Sequence, residues 1–421
     1  MFDPRRLHPY LLASGVTRFL ASLFSTKSGS WNPNSNTAGT KMMANPEKLI
    51  RVFMVGDVML GRGIDMILPH HCDPKLYEGY VTDARDYVKL SVDQSGALPT
   101  ERGMRYVWGD ALEILEEKKP DIRLINLETS ITTSETPWLG KGINYRMHPG
   151  NVETLKEAKI DCCVLSNNHV LDWGYPGLEE TLSTLRSANI TYVGAGKDIS
   201  EAQQPAVFDL PNKGRVLIFA GGHRSSGVFD EWQARKGKSG VNILNIDQLS
   251  HTVHELSQQV KKAKKPGDIV ILSIHWGGNW GFKVPDMFQR FAHSAIDSAG
   301  VDVIHGHSSH HVKGVEVYKG KLIIYGCGDF LNDYEGIFHP DHVPYRSELS
   351  LMYLVDLDPE TGDLVNLLMV PTMTKKMCVR RAEEEGVKWL HETMHMECKK
   401  LGGGVKRTGN ELHLLLHDDD K

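Results

Sequence analysis

The side chains best able to do chemistry recur at one kind of place, the end of a short apolar run. Asp57 follows the run 49–55 and Glu128 follows 122–127. Asn168 and His169 follow 162–165, and His275 follows 269–274. His305, His307, His310 and His311 follow 301–304. Carboxylate, amide and imidazole groups in one set are ligands for a divalent ion such as Zn, Mn or Fe. They are also the groups that carry protons in general acid–base catalysis. No single spacing here is diagnostic, because a lone histidine at a strand end is more often a hydrogen-bonded structural residue. Repetition at equivalent positions is what favours a coordinated metal site over a set of solvated loop residues.

The elements that must position these groups follow from periodicity. Short, wholly apolar runs read as buried strands. Between them, helical spacing is expected over 64–68, 110–119, 152–158, 246–264 and 285–299, and in Leu178, Leu182 and Leu185 after Pro176. Residues 70–101 read as an irregular, charged insertion. Segments 314–318 and 321–325 form a hairpin about Lys319-Gly320, and 349–356 and 364–371 read as antiparallel strands. Val387, Leu390, Met394, Cys398 and Leu401 mark a last amphipathic helix, ended by Gly402 to Gly404. Alternating strands and helices give an α/β fold whose strand ends are the natural ligand site. The stretch Ser166-Asn167-Asn168-His169-Val170-Leu171-Asp172-Trp173-Gly174 lies where a strand hands over to a helix. Asp172 there has two readings: it orients His169 by accepting a ring N–H, or it caps the helix.

The chain has 421 residues with a formal net charge of -5, which argues against a nucleic-acid partner. No apolar run reaches the roughly 20 residues of a spanning helix. The cysteines Cys72, Cys162, Cys163, Cys327, Cys378 and Cys398 form no CxxC pair and read as buried thiols, consistent with a reducing, cytoplasmic setting. Residues 1–47 carry Arg5, Arg6 and Arg18 among Ser, Thr and Asn, with few acids. Two readings fit them: a disordered leader, or a mitochondrial-type targeting segment within 1–45. The main domain is then expected over 48–375, with 376–421 as a C-terminal helix and tail. Oligomeric state is not legible.

The motifs, in order, resemble a known family. Gly56-Asp57-Val58-Met59-Leu60-Gly61-Arg62, Asn126-Leu127-Glu128, Asn167-Asn168-His169, His275-Trp276-Gly277, Gly306-His307-Ser308-Ser309-His310 and Gly328-Asp329-Phe330 look like the CapA family, named for poly-γ-glutamate capsule synthesis, within the calcineurin-like metallophosphoesterases. The resemblance implies two facing mixed β-sheets flanked by helices, a four-layer α/β/β/α sandwich, with one or two divalent ions at the strand ends. It implies metal ligation by Asp57, Glu128, Asn168, His275, His307 and His310, with His169 moving a proton and Asp172 behind it. Met59 stands where the superfamily has a histidine ligand, so the resemblance implies a weaker first metal. His305 has no place in the motif and reads as structural.

Arg62, Arg146, His223 and Arg224, with Lys313, lie at or near predicted strand ends. Guanidinium groups grip carboxylates bidentately, so an acidic peptide or γ-glutamyl substrate would suit them. Trp173, Trp276 and Trp280 flank the site, as pocket wall or as core. Four functions fit: a metalloenzyme acting on a peptide or γ-glutamyl chain, a phosphoesterase, a metal-dependent peptide epimerase, and a non-catalytic accessory subunit of a polymer-synthesis complex.

Overall fold

The computed structural model describes residues 48–416; the expected leader 1–47 lies outside them. In chain order the main strands are β1 (Ile50–Val58), β2 (Ile122–Leu127), β3 (Cys162–Val164), β4 (Thr191–Val193), β5 (Ala206–Leu210), β6 (Gly214–Gly222), β7 (Ile269–His275) and β8 (Val303–His307). They continue as β9 (Val315–Tyr318), β10 (Lys321–Ile324), β11 (Asp329–Leu331), β12 (Leu349–Leu357), β13 (Leu364–Thr374), β14 (Val379–Arg381), β15 (Gly404–Thr408) and β16 (Glu411–Leu415). One sheet runs β15-β16-β13-β12-β1-β2-β3-β4, with β11 beside β1 and β14 beside β13. The other runs β9-β10-β8-β7-β6-β5.

Side-chain alternation turns the two sheets into a sandwich. Ile50, Val52 and Met54 of β1 pack with Ile269 and Ile271 of β7 and Val303 of β8, so the sheets face each other across one apolar core. Phe53 and Val55 point the other way, onto Trp108, Ile114 and Leu182 of the first helical layer. Val270, Leu272 and Ile274 of β7 pack on Val253, Leu256 and Phe291 of helices Leu249–Ala263 and Asp286–Ala299. The four-layer α/β/β/α order follows.

An irregularity in β1 breaks the alternation where it matters. Val55 pairs with Ile125, but Asp57 pairs with Asn126, so Gly56 is bulged out of register. Without the bulge Asp57 would share the face of Phe53 and Val55; with it, Asp57 turns toward the second sheet. A Cβ on Gly56 would lie 2.0 Å from the Gly328 carbonyl oxygen, which is backbone and cannot swing away. Gly56→Ala is therefore expected to cost about 1–3 kcal/mol in denaturant unfolding, as overpacked sites do. An unchanged midpoint would count against this account of the bulge.

Three segments differ from the sequence expectations. The insertion at 70–101 contains a helix, Arg85–Ser95, whose buried residues are Tyr87 and Ser91, too thin an apolar stripe to register. The segment expected as helix and tail has the helix, Glu384–Lys399, and then the hairpin β15–β16, which extends the first sheet by pairing β16 with β13. Strand β5, unread in the sequence, edges the second sheet. All six cysteines are buried and free. No helix among the described residues is long and apolar enough to cross a membrane.

Candidate metal centre

Parallel pairing of β7 with β8 puts Ser273 in register with His305 and His275 with His307. All four side chains share the face of Ile271 and Val303, so they look at the first sheet. Ser273 Oγ lies 3.0 Å from His305 Nδ1 and 2.9 Å from His307 Nε2. His305 Nε2 in turn reaches the Val55 carbonyl at 2.9 Å, beside the β1 bulge. His305 is thus a strut between the sheets, as its absence from the motif implied.

His307 has its Nε2 engaged and turns Nδ1 toward His275 Nδ1, 2.8 Å away. Asp57 Oδ1, held by the Asn126 amide at 2.7 Å, lies 3.9 Å from each of those nitrogens. One ligand atom each from Asp57, His275 and His307 falls within 4.8 Å of the others, and all three residues are buried.

The protonation states of this triad fit a cation. Burial, and the neighbouring Asp329 carboxylate, push the Asp57 carboxyl up to about 7. Asp57 Oδ2 is buried without a hydrogen-bond partner. Burial holds the His275 and His307 imidazoles well below their ordinary range, so both keep a lone pair. A buried carboxylate short of a partner beside two neutral imidazoles is a nitrogen-and-oxygen donor set that a borderline divalent ion completes. These three residues could hold a metal.

Asn168 and Glu128 approach the other edge of His275. Asn168 Oδ1 is 3.0 Å from His275 Nε2, and Glu128 Oε1 is 3.6 Å from it. Glu128 also lies 3.8 Å from His169 Nε2. Burial, then the charges of Asp57 and Asp329, keep the Glu128 carboxyl well above the usual range. Asn167 pins the turn: its amide donates to Asn126 Oδ1 and the Leu127 carbonyl, and its Oδ1 accepts from the His169 N–H.

Asp172 is the partner of His169 and not a cap. Its Oδ2 lies 2.6 Å from His169 Nδ1, while the helix Gly174–Ser187 starts at Trp173 with no side-chain cap bond. Asp172 also gathers the loop in front of it. Its backbone carbonyl accepts from Trp138 N at 2.7 Å and Asn144 Nδ2 at 2.9 Å, its Oδ2 accepts from Tyr145 N at 2.6 Å, and its Oδ1 pairs with Lys141 Nζ at 2.6 Å. Burial pushes the His169 imidazole down to about 4 against the pull of Asp172, with Lys141 adding to the fall.

His310 stands apart from the triad. Its Nδ1 is 2.9 Å and 3.0 Å from the two oxygens of Asp329. Burial opposes its charged form, but Asp329 outweighs burial and the net shift is upward. Glu128, Asn168, His169 and His310, with Lys141, Tyr145, Asn279, Ser308 and Tyr334, line one cavity of about 310 Å³.

The four residues expected to grip substrate are committed elsewhere. Arg62 is buried and spends its guanidinium on Asp333, Glu78 (2.9 Å) and the Tyr87 hydroxyl (2.8 Å). Arg146 donates to the Ser134 and Asp73 carbonyls and stacks on Trp173 at 3.9 Å. His223 is buried with Nδ1 on Ser225, and Arg224 is exposed, donating to Asn245. None of the four lines the 310 Å³ cavity. Lys313 is likewise buried, donating to the Gly281 carbonyl. Trp173 and Trp276 are core residues; Trp280 stacks on His342 and lies 5.5 Å from His310.

Two cavity groups, Lys141 and Tyr145, and Asp329 behind His310 had no role in the sequence reading. Lys141 sits in a featureless polar loop. Tyr145, whose ring stacks 3.9 Å from that of His169, directly precedes Arg146. Asp329 did leave a signal, since Gly328-Asp329 repeats the Gly56-Asp57 dipeptide.

Comparison with known proteins places the chain in a family. The family model described as "Bacterial capsule synthesis protein PGA_cap" matches residues 51–334. A protein of Mycobacterium tuberculosis named probable polyglutamine synthesis accessory protein is 42% identical over 361 residues, 86% of this chain and 94% of that one. The PGA biosynthesis protein CapA of Bacillus subtilis is 26% identical over 294 residues, covering 70% of this chain and 66% of its own length. The capsule biosynthesis protein CapA of Bacillus anthracis is 28% identical over 288 residues, covering 66% of this chain and 59% of its own. With a family model spanning most of the folded region and a relative this similar along nearly its whole length, the chain belongs to the PGA_cap family of bacterial capsule synthesis proteins.

Proposed function

We propose that the chain is a metal-dependent enzyme acting on a peptide or γ-glutamyl chain, of the poly-γ-glutamate kind, at the cavity over Asp57, His275 and His307. The observation that carries this reading is a buried metal-competent triad whose His275 touches Asn168 and Glu128, which line a cavity together with His169. A divalent ion held by the triad would polarise a carbonyl or lower the pKa of a bound water. His169, held by Asp172 with Nε2 on the Glu128 side, is the neutral acid–base group. Asn168, Asn279, Ser308 and Tyr334 offer neutral donors and acceptors to an amide backbone. Lys141, paired with Asp172, and His310, paired with Asp329, are the basic groups of the cavity.

The test is turnover of a synthetic γ-glutamyl oligomer by protein loaded with Mn²⁺ or Zn²⁺, followed by mass spectrometry and by solvent deuterium incorporation. Cleavage supports hydrolysis, and deuterium without cleavage supports the epimerase. Metal-loaded protein that does neither supports the accessory reading, which the name of the M. tuberculosis relative favours.

Metal binding should also depend on pH in one direction. The Asp57 carboxyl is raised to about 7, so in metal-free protein its stabilising contribution is complete at acid pH and is lost as pH rises through about 7. A cation needs the ionised form and competes with that proton. The rise in melting temperature on adding Mn²⁺ is expected to be larger at pH 8 than at pH 6. An equal rise at both would remove Asp57 from the ligand set.

A further inference from the structure

Two histidines of the cavity, His169 and His310, each have a carboxylate behind them, and each carboxylate also helps to seat a tyrosine. Asp172, which holds His169, accepts from the Tyr145 N–H at 2.6 Å, and the Tyr145 ring stacks 3.9 Å from that of His169. Asp329, which holds His310, accepts from Asn332 Nδ2, and Asn332 Oδ1 accepts from the Tyr334 N–H, both at 3.0 Å. The Tyr334 ring meets that of His310 edge-on at 5.5 Å. The two tyrosines then meet each other, with hydroxyl oxygens 2.7 Å apart. Both line the 310 Å³ cavity. The Arg62 guanidinium lies 4.8 Å from the Tyr145 ring and 5.5 Å from the Tyr334 ring.

The pair has a hydrogen to spare. Burial keeps both phenols protonated. Two oxygens therefore carry two hydrogens, and one of these fills the bond between them. Neither hydroxyl has another hydrogen-bond partner among the described residues. Tyr145 is 3% exposed, whereas Tyr334 is half-buried. The enclosed hydroxyl spends its hydrogen on its neighbour, and the outer one keeps its own for the cavity. We propose that the Tyr334 hydroxyl, backed by Tyr145, is the donor that meets the carbonyl oxygen of the reacting peptide or γ-glutamyl bond. This rests on the enzyme reading above and deepens it by assigning Tyr334 as a catalytic residue and Tyr145 as a positioning one. A hydroxyl that accepts one hydrogen bond donates the next more strongly.

The same donor serves either reaction. In hydrolysis, water oxygen bonds to the carbonyl carbon, the C=O π pair moves onto oxygen, and a proton of that water passes to His169. Return of the pair breaks the C–N bond, and the nitrogen leaves with the proton from His169. In epimerisation the α-carbon gives its proton to His169, the C–H pair becomes a C=C bond, and the π pair moves onto the same oxygen. Reprotonation of the carbon reverses the shift. In both, Tyr334 stabilises the charged oxygen by a hydrogen bond and keeps its own proton.

The experiment uses the whole chain loaded with Mn²⁺ and two probes. One is the synthetic γ-glutamyl oligomer; the other is its phosphinate analogue, whose anionic oxygen stands where the carbonyl charge develops. Tyr334→Phe should lower kcat, for cleavage or deuterium exchange, by on the order of 100-fold. KM should stay within about threefold, the split expected of a contact made in the transition state and not of a packing defect. Calorimetry should show the phosphinate bound at least about tenfold more weakly. Tyr145→Phe keeps the terminal donor and should lower kcat by only about tenfold. Should Tyr334→Phe fail to fold by circular dichroism, Tyr145→Phe decides, and a wild-type kcat there overturns the proposal. Wild-type kcat and phosphinate affinity in folded Tyr334→Phe also overturn it, and leave the enzyme reading standing. Should wild type bind the phosphinate without acting on the oligomer, the enzyme reading falls; the Tyr334 contact stands if Tyr334→Phe weakens that binding and falls if it does not. Wild type that neither acts on the oligomer nor binds the phosphinate overturns both.

Discussion

Arg62→Met is expected to destabilise the protein by about 3–5 kcal/mol, the cost of removing one partner from a buried ion pair. The guanidinium is enclosed, with 2% of its side chain exposed, and Glu78 and Asp333 are at 0%. It also lies over the Tyr87 ring at 3.8 Å and near the Tyr145 ring at 4.8 Å. Removing it strands two carboxylates in the interior and unseats the tyrosine that stacks on His169. Arg62→Lys should recover little, because an ammonium cannot bond Asp333 through two nitrogens while also reaching Glu78. Guanidinium chloride unfolding checks this. A variant with wild-type stability but a raised KM would instead restore Arg62 as a substrate clamp, the role its motif implied.

His307→Ala should lower metal affinity by on the order of 100-fold or more, since even residues that only support a ligand are worth 10–100-fold. His305→Gln, two residues earlier on the same face of β8, should leave metal stoichiometry unchanged and cost stability instead. The structure separates the two histidines by partner. His305 spends both nitrogens on Ser273 and the Val55 carbonyl, whereas His307 keeps Nδ1 for the space shared with His275 and Asp57. Calorimetric titration with Zn²⁺ on both variants distinguishes them. Equal losses would mean that the whole histidine block, and not the triad, holds the ion.

The strand ends were legible because the buried strands are mostly apolar, so a carboxylate, amide or imidazole at the close of each run marks its end. That is how Asp57, His275 and His307 could be grouped before any coordinates. The Gly56 bulge that aims Asp57 was not legible, since a glycine before an aspartate has many uses. Arg62 was misread for a different reason. Its partner Asp333 is 271 positions away, and nothing local distinguishes a clamp on substrate from a clamp on the protein. The choice between the two roles of Asp172 needed the loop it gathers, Trp138 to Tyr145, which carries no periodic signal. His310 matched its motif position, yet Asp329 draws it out of the close triad.

The place of β1 between β2 and β12 sets the order of events during synthesis. Arg51 on β1 bonds Asp356 on β12, a partner 305 residues later. At about 5–20 residues per second, a ribosome needs roughly 15–60 s to make that partner. Through that interval one edge of a mostly apolar strand lacks its long antiparallel partner, which is the condition under which strands join the wrong neighbour. Nascent chains of this protein should therefore depend on holding factors until β12 emerges, and slow refolding with concentration-dependent losses is the behaviour expected in vitro.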